Sequence, residues 1–99
     1  MRPIHVAQLD KARPVLVLTR ELVRAHLTRV TVAPLTTISR GFATEVPVGP
    51  ASGLEARCVV SCDNIVTVRA SALGLQVGAL LPSQEAALSD AIHAAFDLD

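Results

Sequence analysis

Apolar and polar positions along the chain change their pattern several times, and each change marks an element. Ile4 to Leu9 reads as a short first strand, followed by a tight connection at Asp10-Lys11-Ala12. Arg13-Pro14 then opens Val15-Leu16-Val17-Leu18-Thr19, a continuous apolar run rich in β-branched residues. Such a run fits a strand buried on both faces. Pro14 has no N–H to give to a ladder, so it belongs at the strand's first position or on an edge. Arg13, just before it, is pushed into extended backbone, which holds its side chain at the rim of the sheet. Thr19 is a candidate cap for a short helix over Arg20 to His26. Arg29 to Leu35 alternates and predicts a third strand, with Pro34 marking where its pairing ends or bulges.

A polar turn follows from Thr36 to Gly41, then a fourth strand over Phe42 to Val48 and a loop over Gly49 to Gly53. Arg57 to Ser61 and Ile65 to Val68 predict two more strands, with Asp63-Asn64 as punctuation between them. Gly74 and Gly78 break the remaining apolar stretch. Ser83 is a good N-cap for residues 84–96, where Ala87, Leu88, Ala91, Ile92, Ala95 and Phe96 recur at helical spacing. The side carrying Leu88, Ile92 and Phe96 is expected to pack on the sheet or across a dimer. Several short strands with one helix at the end predict a mainly β fold, a small β-barrel closed by a C-terminal α-helix. Ninety-nine residues make one domain, 1–99.

Composition narrows the function classes. The chain is 51% apolar and 18% charged, the balance of a packed globule. Phe42 and Phe96 are its only aromatic residues, which argues against a surface built mainly from stacked rings. No apolar run is long enough to span a membrane, and the opening MRPIHVAQLD has no apolar signal core, so neither insertion nor export is expected. Cys58 and Cys62 lie in a β-branched stretch with no histidine nearby and read as small core residues.

The zero net charge hides a division. Residues 1–40 carry seven cations against two acids, net +5, and residues 41–99 carry two against seven, net −5. Eight of the nine cations are Arg, the side chain whose planar fork fits phosphate. The gradient reads either as an ordinary solvated surface or as a basic face for a polyanion.

No self-sufficient catalytic motif is present: there is no Gly-rich phosphate loop, and His5, His26 and His93 stand apart. What remains is a set of residues at strand ends. If the second and third strands run antiparallel, Arg13 and Thr36 share an edge and offer a guanidinium and a hydroxyl to a phosphate. The plainer account is a surface Arg and a capping Thr.

The segments RPVLVL (13–18), VAPLTT (32–37) with Ser39-Arg40-Gly41 after it, Glu45-Val46 and CDNI (62–65), in this order, resemble MazF/PemK-type toxins. The likeness runs over nearly the whole chain. It implies an SH3-like or plasmid-toxin barrel, a cytoplasmic homodimer, and a sequence-specific endoribonuclease that cuts single-stranded RNA without metal or other cofactor and is neutralised by a cognate antitoxin. By the same resemblance Arg13 and Thr36 are the catalytic pair, and Thr37, Arg40 and Asn64 are candidate RNA contacts. The base that would activate the ribose 2′-OH is left open, because an Arg stays protonated. Family members often have a longer loop before the Arg-Pro pair, here reduced to Asp10-Lys11-Ala12. Two other readings stand beside this one: a non-enzymatic, CcdB-like toxin of the same barrel class that binds DNA gyrase, and a barrel that has lost activity. The Arg13 and Thr36 pair favours the ribonuclease.

Overall fold

The computed structural model describes residues 2–98. Seven strands run in chain order: β1 (Pro3–Gln8), β2 (Ala12–Val17), β3 (Arg29–Thr36), β4 (Glu45–Val48), β5 (Cys58–Ser61), β6 (Val66–Arg69) and β7 (Leu73–Ala79). A one-turn helix α1 (Glu21–Arg24) lies between β2 and β3, and α2 (Glu85–Phe96) ends the fold. The sheet order is β4-β5-β3-β2-β1-β7, with β6 also on β3, and every pairing is antiparallel. The result is a curled, mainly β half-barrel with a C-terminal helix.

The apolar run of β2 is buried on both sides, as its unbroken hydrophobicity requires. Successive strand residues point to opposite faces. Leu16 joins Ile4, Ala33, Leu35, Val46, Val60, Leu80 and Leu88 in the larger core, while Val15 and Val17 join Ala7, Val30 and Val32 in a smaller one. β3 behaves alike, sending Ala33 and Leu35 one way and Val30 and Val32 the other. Its two prolyl-sensitive points fall where pairing changes. β3 pairs with β6 through Val32 and with β5 from Leu35, so Pro34 sits in the gap between partners. Pro14 stands within β2, opposite Val6 of β1, where pairing to β3 has not yet begun. It is therefore singly paired rather than the strand's first residue.

Several local expectations are corrected. The helix after β2 is only four residues, and Thr19 does not cap it: the Thr19 hydroxyl accepts a hydrogen bond from the Thr31 N–H at 2.8 Å, tying the connection to β3. β4 begins at Glu45 and not at Phe42, because residues 39–42 turn around the Glu45 side chain. Ser83 lies in a 3₁₀ turn, Pro82–Gln84, and Gln84 flanks α2. The stretch with Gly74 and Gly78 is a seven-residue strand, β7. On α2, Leu88 and Ala91 are buried and Ile92 is half-buried against the larger core, but Phe96 is 55% exposed. The helix ends at Phe96, with Asp97 in the left-handed conformation closing it. Cys62 is buried and Cys58 half-buried against the same core. Burial, with the Asp63 charge, pushes the Cys62 thiol up to about 11, so it stays neutral at physiological pH.

Candidate functional site

A groove of about 610 Å³ opens where β2 begins and β3 ends. The β2–β3 register pairs Val15 with Pro34. Continued by two residues, it sets Arg13 across from Thr36, and both side chains line the groove. The side chain of Arg13 is 26% exposed, and one terminal nitrogen lies 3.4 Å from a carboxylate oxygen of Asp10. Its Nε is buried and has no hydrogen-bond partner. An unpartnered buried donor on a guanidinium is costly. The Thr36 hydroxyl accepts from the Ile38 N–H at 3.2 Å. That bond uses an oxygen lone pair, so the hydroxyl proton stays available to a second acceptor.

Arg40 and Asn64 reach the same groove, as do Asp10, Phe42, Glu45, Ser61 and Asp63. Thr37 does not. It borders a second hollow of about 430 Å³ with Ser39, Pro47, Arg57 and Cys58. Chain alternation explains the split, because neighbours in an extended segment face opposite ways.

The outer wall of the groove is organised by one carboxylate. Glu45 accepts from the backbone N–H groups of Arg40 (3.1 Å), Gly41 (3.0 Å) and Phe42 (3.3 Å) and from the Ser39 hydroxyl (3.2 Å). Gly41 adopts a φ of 73°, which lets three successive N–H groups converge on an anion. Burial pushes the Glu45 carboxyl up, but these hydrogen bonds outweigh it and hold the group below its ordinary 4.5. The adjoining end of β5, where Ser61 pairs with Glu45, is also fixed: Thr44 donates to Asp63 at 2.7 Å, and the Asn64 side-chain amide donates to the Ser61 hydroxyl at 2.8 Å.

The charge gradient of the sequence is not gathered here. Two guanidiniums, Arg13 and Arg40, face three carboxylates in the groove. Arg2, Arg20 and Arg24 border a separate hollow near α1, and Arg29 stands opposite Arg69 on the β3–β6 ladder. Among the described residues no three His, Cys, Asp or Glu side chains converge as metal ligands.

An antiparallel half-barrel closed by a C-terminal helix is the fold of small barrel toxins. The chain belongs to the family of PemK-like, MazF-like toxins of type II toxin-antitoxin systems, whose model matches residues 3–96. It is 67% identical over 99 residues to the endoribonuclease MazF3 of Mycobacterium tuberculosis, covering all of this chain and 96% of that protein. The solved Mycobacterium tuberculosis toxin MazF-mt6 superposes with a TM-score of 0.96 at 66% identity, covering 99% of each chain. A mycobacterial endoribonuclease solved with its cognate antitoxin superposes with a TM-score of 0.88 at 28% identity, covering 98% of this chain and 93% of that one.

Proposed function

We propose that this toxin cuts single-stranded RNA without a metal ion, by attack of a ribose 2′-OH on the adjacent phosphate at the Arg13 and Thr36 end of the groove. The chain is an endoribonuclease toxin, the activity named for a relative 67% identical over its full length. In the reaction the 2′-oxygen bonds to phosphorus and gives up its proton, the bond from phosphorus to the 5′-oxygen breaks, and that oxygen takes a proton. The products are a 2′,3′-cyclic phosphate, or its opened form, and a 5′-OH end. Negative charge builds on the phosphoryl oxygens as the new bond forms, so donors fixed in advance stabilise that state most. Arg13 supplies the charge and is suited to protonate the leaving oxygen, and Thr36 donates to a phosphoryl oxygen. Arg40 and Asn64 hold flanking nucleotides; Thr37 contacts RNA only if the chain reaches the neighbouring hollow. A 2′-OH nucleophile makes DNA a ligand and not a substrate.

The observation that carries this reading is the shared groove of Arg13 and Thr36. The toxin acts in the cytoplasm as a homodimer, the arrangement implied by the family resemblance, and a cognate antitoxin blocks it, as relatives are solved with theirs. The test is cleavage of single-stranded RNA with chelator present, followed by mapping of both new ends. Arg13→Ala is expected to slow cutting at least about 100-fold, the usual loss for one transition-state donor. Equal rates for Arg13→Ala and the parent overturn the site, and gyrase inhibition without RNA cleavage overturns the reaction.

A further inference from the structure

Three large apolar side chains that stay exposed, Ile38 (66%), Phe42 (53%) and Val66 (42%), line the groove that holds Arg13 and Thr36. Phosphate and ribose do not call for them: backbone contacts to nucleic acid are made by charged and polar groups. Single-stranded RNA also brings unpaired bases, and these are held by stacking on rings and apolar surfaces. Phe42 is the ring available in this groove, since the other aromatic residue, Phe96, sits at the end of α2.

Phe42 is also presented in a fixed position. Its N–H donates to the Glu45 carboxylate at 3.3 Å, and its carbonyl accepts from the Glu45 N–H at 3.1 Å. The main chain is thus clamped on both sides of the ring while the ring itself stays out of the core. A ligand that stacks there does not have to order the loop, a cost that binding otherwise bears.

We propose that Phe42 is the stacking platform for one unpaired base of the bound RNA, with Ile38 and Val66 as the apolar surface beside it. This rests on the ribonuclease reading above and adds the contact that receives a base. Stacking recognises a flat π face and not a hydrogen-bond pattern, so the contact adds affinity for an unpaired nucleotide without choosing its letter.

The probe is a single-stranded RNA spanning the mapped cleavage site, with a 2′-deoxy sugar at the nucleotide whose hydroxyl attacks. Phe42→Leu, which keeps apolar bulk at an exposed position, is expected to weaken binding of this probe roughly 5- to 100-fold, with the loss of activity on cleavable RNA entering through KM. Phe42→Trp is expected to retain affinity. Because the chain has no other Trp, the indole fluorescence of that variant should be quenched when the probe is added. Abasic nucleotides placed one at a time along the probe should reveal a position that weakens the parent and leaves Phe42→Leu unaffected. Equal probe affinity for Phe42→Leu and the parent overturns the proposal, as does a loss that no abasic position shares. A loss of antitoxin affinity with probe affinity intact also overturns it. In all of these the parent still cuts RNA; a parent that cuts none instead overturns the nuclease reading itself.

Discussion

At the scale of single residues, Glu45 shows how much one carboxylate can organise. It holds four donors from residues 39–42, among them the backbone of Arg40 and Phe42, whose side chains face the groove. Its pKa is depressed in the folded state, so the stabilisation it provides is complete above its ordinary value of 4.5 and is lost as pH falls through the lower folded value. The amide resonances of Arg40, Gly41 and Phe42 should therefore shift together on acidification, with a midpoint below 4.5. Glu45→Gln should remove that shared transition. A midpoint above 4.5 would show that these hydrogen bonds do not hold the carboxylate. None of this was legible in the sequence, because the partners of Glu45 are main-chain N–H groups that carry no residue identity. The shared edge of Arg13 and Thr36 was legible because adjacent antiparallel strands leave little choice about which ends meet, while their reading as a catalytic pair came from the family resemblance. Thr37 was separated from Thr36 by resemblance alone, and the strand's faces then set it in the neighbouring hollow.

At the scale of elements, β7 is the strand that pattern reading loses. Gly74 and Gly78 look like breaks, yet both are close-approach points within a paired strand. A Cβ on Gly78 would overlap the carbonyl oxygen of Ser52, where the turn Pro50–Ser52 crosses β7, and one on Gly74 would lie 3.2 Å from the Val6 carbonyl oxygen of β1. Gly78→Ala should thus lower stability by about 2 kcal/mol or more, since backbone on both sides must move. Gly41→Ala meets nothing within 4 Å and carries only the strain of its φ of 73°, about 1 kcal/mol. Urea unfolding of the two variants checks the order, and an equal loss at both positions would contradict the crossing. The remaining strands and α2 were readable because their apolar periods are long enough to be unambiguous. The start of β4 shifted because the Glu45 side chain captures the backbone before it, whereas β3 begins at Arg29 as expected.

At the scale of the whole molecule, charge is the poorest guide and topology the best. The +5 and −5 halves of the chain left a solvated surface and a basic face both open, and folding spreads the arginines over four separate regions and seats carboxylates among those in the groove. Linear sequence orders charges by position along the chain, while a curled sheet sorts them by face. Burial, by contrast, follows directly from pattern. β2 and β3 lie between two cores and contribute to both, so neither strand can open without exposing apolar residues of each. Opening at such a place costs close to the free energy of complete unfolding. Amide hydrogens of Leu16, Val17, Val32 and Ala33 should be the slowest to exchange with deuterated solvent, far slower than those of Ser39, Ala43 and Thr44, which lie outside the strands. Comparable exchange in the two regions would contradict a division of this kind.

That division separates two kinds of change. Arg13 and Thr36 hang from the least yielding part of the protein, whereas Phe42 and Arg40 hang from a hairpin bend stitched by one acid. Replacements in the bend should change how tightly a strand is gripped while the cutting chemistry survives, and an engineer tuning that grip would begin between residues 37 and 44.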